Sequence, residues 1–152
     1  MILILILTIG SQKIRAESNE YFTFELGAVE TFSVTEVAQI GYMRKKGDIY
    51  LHFFWGSLEE ELHDERTSYL FGELGYGRFF RETPYYWNVS LGIGKVSQTG
   101  KYLSTENMFT ESIVAGYKNY YLSLRHFSNG GTILGNRGRN LGRNLVTLGV
   151  RF

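Results

Sequence analysis

The segment Leu122-Ser123-Leu124-Arg125-His126-Phe127-Ser128-Asn129-Gly130-Gly131 brings a base, a hydroxyl and an amide together at the end of an alternating run. A serine hydroxyl becomes a useful nucleophile only when a neighbouring base takes its proton, and histidine is the side chain whose ordinary pKa suits that task near neutrality. Asn129, or backbone N–H groups of the glycine-flanked turn that follows, could donate to the oxyanion of an acyl-transfer intermediate. Acyl transfer is the chemistry this combination supports. His-x-Ser spacing is common by chance, so the setting of the pair has to decide.

In a strand, side chains two apart share a face, which sets His126 and Ser128 on the same side. Below them on that face are Tyr120, Leu122 and Leu124; the opposite face carries Tyr121, Ser123, Arg125 and Phe127. The base and hydroxyl therefore continue the apolar face, an arrangement that suits an enzyme whose substrate is a lipid.

The element that positions them is one of many with the same period. From Glu17 onward, apolar residues recur at every second position: Phe22, Phe24, Leu26 and Ala28; Ile49, Leu51, Phe53 and Trp55; Trp87, Val89, Leu91 and Ile93; Val146, Leu148, Val150 and Phe152. Eight strands are expected, near 20-29, 34-44, 49-57, 67-80, 85-96, 105-117, 120-128 and 143-152. The intervening positions include Thr23, Glu25, Gln39, His52, Glu73, Asn88, Ser90, Ser123, Arg125, Thr147 and Arg151, too polar for an oily core. Polar inside and apolar outside describes an all-β, eight-stranded antiparallel transmembrane barrel over residues 17-152. Lipid also forces closure, because an open sheet edge has no water to bond there. A lipocalin-like barrel carrying lipid in solution has the same period with the opposite sign. Aromatic residues at one set of strand ends (Tyr42, Tyr85, Tyr86, Trp87, Tyr117, Tyr120, Tyr121 and Phe152) favour the membrane form.

Tight connections at Lys45 to Asp48, Arg81 to Pro84 and Lys118-Asn119 are expected on the periplasmic side, with longer ones at 58-66, 97-104 and 129-142 outside. On that orientation, eight steps of ~3.3 Å at ~40° tilt lift Ser128 roughly 20 Å through a ~25 Å apolar band, to the level where acyl chains meet headgroups. Residues 1-16 read as a signal peptide, with Ala16 before the cut, although Lys13 and Arg15 follow the apolar run instead of preceding it. The formal charge of +1 argues against a nucleic-acid partner, and zero cysteines exclude disulfides and a thiol nucleophile.

The motif His126-Phe127-Ser128-Asn129-Gly130-Gly131 resembles that of the lipid A 3-O-deacylase (PagL-type) family, eight-stranded outer-membrane hydrolases with a Ser-His-acid site. Phe109-Thr110-Glu111, Ile113-Val114-Ala115-Gly116 and Asn136-Arg137-Gly138 extend the likeness over the C-terminal third. The resemblance implies Ser128 as nucleophile, His126 as base and Asn129 as oxyanion contributor, and hydrolysis of the 3-position ester of lipid A in the bacterial outer membrane. The released product would be a 3-hydroxy fatty acid, and no cofactor or metal is implied. A homodimer is compatible with such a barrel.

One position departs from the family pattern. The acid two residues beyond the Asn-x-Gly turn is here Asn140, which can orient imidazole through its carbonyl but supplies no full negative charge. Glu111 is a second candidate to serve His126: the turn at Lys118-Asn119 pairs Tyr117 with Tyr120 and, in the same register, Glu111 with His126, ~5 Å apart at Cβ. An unpaired carboxylate on a lipid face is expensive, so Glu111 should have a task there. Arg137, Arg139 and Arg143, expected in the last external loop, could bind lipid A phosphates bidentately. Glu59, Glu60, Glu61, Asp64 and Glu65 around His63 suggest an exposed acidic loop, while Glu25, Glu73, Arg125 and Arg151 suggest a charge-balanced network inside the barrel, joined by His52. The rival to the esterase is a non-catalytic barrel with an envelope-structural or adhesion role.

Overall fold

The computed structural model describes residues 20–30, 35–60, 65–80, 82–97, 106–129 and 143–152. Eight antiparallel strands, each paired with its sequence neighbours, form β1 (Glu20–Glu30), β2 (Thr35–Lys46), β3 (Ile49–Glu60), β4 (Glu65–Phe79), β5 (Tyr85–Val96), β6 (Asn107–Tyr117), β7 (Tyr120–Ser128) and β8 (Arg143–Arg151). Pairing of β1 with β8 closes the barrel and leaves no edge. The expected signal segment and residues 137 to 140 lie outside the described residues.

Two-residue turns at Gly47-Asp48 and Lys118-Asn119 each begin with a positive φ, +61° at Gly47 and +55° at Lys118. That backbone follows the right-handed twist of the flanking strands. At the opposite end β3 and β4 run further than the alternation suggests. Glu59 pairs with Arg66 and Glu60 with Glu65, so the connection expected over 58-66 shrinks to 61-64, and three of its acidic residues belong to strands. Charged side chains hide strand extension from a reading based on apolar period.

The sign of the barrel is settled by exposure. Phe22, Ile40, Phe53, Trp55, Leu70, Leu91, Ile93, Ile113 and Leu148 face outward and are all more than half exposed, while Glu25, Gln39, His52, Glu73 and Arg125 are buried. An apolar wall with charge inside is stable only against hydrocarbon. Tyr85, Tyr117, Tyr120, Tyr76, Phe79 and Phe80 are exposed around the short-turn end as an interfacial belt. Tyr86 and Tyr121, expected in that belt, instead point inward and are buried, because Tyr86 alternates with the inward Asn88 and Ser90 and Tyr121 with the inward Ser123 and Arg125. Val150, expected outside, is also buried.

The interior has two layers. Near mid-barrel, Arg125 bridges both buried carboxylates, with Nε donating to Glu73 at 3.0 Å and Nη1 to Glu25 at 3.3 Å. Ser90 and Thr110 donate to Glu73, each at 3.0 Å, while Tyr121 (3.0 Å) and Thr147 donate to Glu25. His52 Nδ1 lies 3.6 Å from Glu73. Arg151 does not join this network. Its guanidinium stacks on Tyr86 at 4.1 Å and donates to the Lys118 carbonyl at the short-turn end. Toward the other end the lumen is oily, contrary to the expectation of a polar interior throughout: Phe54, Tyr69, Phe71, Met108, Phe127 and Leu145 form a buried plug.

Candidate active site

The site lies where β6, β7 and β8 run side by side. Direct cross-strand partners form a row across the outer wall: Leu51, Leu74, Leu91, Glu111, His126 and Asn144. One step toward the long-connection end, a second row runs Phe53, Gly72, Ile93, Phe109 and Ser128. Glu111 pairs with His126, the register set by the Lys118-Asn119 turn.

His126 Nδ1 lies 2.7 Å from Asn144 Oδ1. An amide oxygen can only accept, so Nδ1 carries a proton, and in the neutral ring Nε2 then holds the lone pair that a general base requires. Asn144 escaped the sequence reading because the long segment between β7 and β8 leaves their register unspecified. One signal was available. Asn144 shares the parity of Val146 and Leu148, so it is an amide on a lipid-facing strand, as unusual as Glu111 on β6.

Ser128 closes β7 and is 7 % exposed, set low among its neighbours in a groove of about 710 Å3 on the outer wall. Leu51, Phe53, Leu91, Ile93 and Phe109 supply the apolar lining and Glu111 the carboxylate. Gly72 keeps the groove floor low, since a Cβ there would come within 3.1 Å of the Phe53 ring. A second groove of about 730 Å3 adjoins it toward the short-turn end, lined by Ile49, Leu74, Val89, Ile113, His126 and Asn144. Glu111 borders both.

Between His126 and Ser128, Phe127 turns inward and is fully buried, its ring stacked on Phe71 at 4.6 Å and edge-on to Tyr69 at 5.2 Å. The oily plug thus anchors the segment that carries the base and the hydroxyl. Asn129 follows Ser128 and is wholly buried. Arg143, expected in an external loop as a phosphate ligand, is instead the first residue of β8, pairs with Phe127 and is 3 % exposed on the inner side. Its parity with Leu145 and Thr147 turns it toward the lumen, away from the outer wall. Arg137, Arg139 and Asn140 are outside the described residues.

No protein-family model and no curated protein sequence matches this chain. Two solved structures share its fold. The outer membrane enzyme PagL superposes with a TM-score of 0.67 at 16% identity, over 87% of this chain and 98% of that one. Neisserial surface protein A (NspA) superposes with a TM-score of 0.58 at 14% identity, over 88% and 96%. The chain has the fold of outer-membrane barrels. At these identities the likeness extends to architecture alone.

Proposed function

We propose that this chain is an outer-membrane serine esterase that hydrolyses the 3-position acyl ester of lipid A and releases a 3-hydroxy fatty acid. The observation that carries the reading is the 2.7 Å bond from His126 to Asn144 on the lipid-facing wall, with Ser128 two residues further along the same strand face. A histidine held in the tautomer of a base has little reason to face lipid unless it serves a substrate that resides there. The His-x-Ser-Asn motif and the fold shared with PagL support the same conclusion.

In the proposed reaction His126 Nε2 takes the Ser128 proton as Oγ bonds to the acyl carbon. The tetrahedral oxyanion is stabilised by N–H donors around Asn129. The ester C–O bond then breaks and the departing sugar alkoxide receives the proton from the imidazolium. Water, deprotonated by His126, cleaves the acyl-serine and restores the hydroxyl. Asn144 keeps the ring oriented throughout. Papain-like hydrolases use an Asn in this orienting position, so a neutral partner is compatible with turnover, with less stabilisation of imidazolium than a carboxylate gives.

That missing charge favours one second reading, a non-catalytic barrel descended from such an enzyme. Refolded protein in detergent, incubated with lipopolysaccharide, should release 3-hydroxy fatty acid, and Ser128→Ala should release none. A heat-modifiable, folded wild type that liberates no acid would leave the non-catalytic barrel standing.

A further inference from the structure

Hydrolysis by Ser128 and His126 gives no task to the carboxylate beside them on the outer wall, that of Glu111. It is exposed on a face built of Leu91, Ile113 and Leu124, and no hydrogen bond or ion pair engages it among the described residues. An ionisable group on a lipid-facing wall is normally retained for function. Asn144 already orients His126, so Glu111 is not needed for that.

Glu111 and Ser128 line the same groove. They stand in diagonal register, since Ser128 pairs with Phe109 two positions along β6, a relation that separates side-chain origins by ~7–8 Å, within reach of a long side chain. An acyl chain whose carbonyl carbon meets Ser128 Oγ would run down this groove past Glu111. The other outward-facing lining groups, Leu51, Phe53, Leu91, Ile93 and Phe109, offer no acceptor.

We propose that Glu111 accepts a hydrogen bond from the 3-hydroxyl of the scissile acyl chain and so selects 3-hydroxyacyl esters over plain acyl esters. This deepens the esterase reading above and rests on it. A hydroxyl two carbons from the carbonyl would otherwise lose its hydrogen bond in an apolar groove, and with a plain chain the carboxylate would lie against hydrocarbon without a donor. Both penalties favour the hydroxylated substrate. A hydrogen bond to a charged group in a partly open site corresponds to a preference of about 10- to 100-fold.

The test uses matched 3-hydroxytetradecanoyl and tetradecanoyl esters of one glucosamine in detergent micelles, with wild type, Glu111→Gln and Glu111→Leu. The wild type should favour the hydroxylated ester in kcat/KM by that factor. The ratio should shrink in Glu111→Gln, which keeps a neutral acceptor, and approach unity in Glu111→Leu. A wild-type ratio near one overturns the proposal, as does a ratio that survives in both variants while the two rates fall together, which would assign Glu111 to His126 instead. Binding of methyl 3-hydroxytetradecanoate and methyl tetradecanoate to Ser128→Ala protein, with and without Glu111→Leu, separates the two levels. A hydroxyl preference that depends on Glu111 without any turnover by wild type sinks the esterase and keeps the recognition role; no preference in either protein sinks the recognition role.

Discussion

Asn144 on β8 accepts, through Oδ1, a hydrogen bond from Nδ1–H of His126 on β7 at 2.7 Å, directly across the ladder that joins the two strands. The bond fixes which imidazole nitrogen is free. The contact itself depends on the β7–β8 register, because a one-residue slip would turn Asn144 into the lumen.

In the proposed esterase, replacing Asn144 should therefore act on turnover more than on binding. Asn144→Ala is expected to lower kcat on lipopolysaccharide by about 10- to 1000-fold through loss of ring orientation, whereas Asn144→Asp, which adds the charge that stabilises imidazolium, should raise it. Steady-state release of 3-hydroxy fatty acid measures both. An Asp variant no faster than wild type would mean that orientation alone limits the base.

Removing Arg125 should damage the barrel from within. Its guanidinium bonds both Glu25 and Glu73 and lies 4.2 Å over the Phe54 ring, so Arg125→Met leaves two buried carboxylates without their cation. A loss of about 3–5 kcal/mol in urea unfolding from micelles is expected. The combined change Glu25→Gln, Glu73→Gln, Arg125→Met should recover a good part of it.

Phe127→Ala tests the anchoring of the site by the plug. Deleting a fully buried ring that stacks on Phe71 should cost about 3–5 kcal/mol. Phe127→Leu, which keeps most of the volume, should retain the fold while lowering kcat as the strand end loosens. Equal activity of the Leu variant and wild type would show that His126 and Ser128 are held by the ladder alone.

The short-turn end carries a pH-dependent contact. A 2.6 Å hydrogen bond from Arg78 Nε, aided by Tyr76, holds the carboxyl of Asp48 below the usual carboxylate range. A depressed carboxylate contributes stability that is present above its unfolded pKa of about 4 and is lost as pH falls through the lower folded value. Asp48→Asn should thus flatten the decline of the unfolding midpoint below pH ~4, with a small effect because the pair is exposed. An unchanged acid limb would assign that decline to other carboxylates.

Strand period fixed most of this molecule from the sequence alone. Alternation from Phe22 to Phe152 specified eight strands and, Val150 apart, their outward sets, and the two-residue turn at Lys118-Asn119 specified the partnership of Glu111 with His126, because a tight hairpin leaves no freedom of register. Parity likewise put Glu25, Glu73 and Arg125 together inside. What period cannot carry is register across long connections and the filling of the two ends of the lumen. Closure of β7 on β8 selected Asn144 as the partner of His126, set Arg143 across from Phe127 and gathered Phe127 with Phe71 and Tyr69 into an aromatic plug. Those outcomes depend on how residues far apart in the chain meet around a closed cylinder, a constraint that exists only once every strand has found its neighbour.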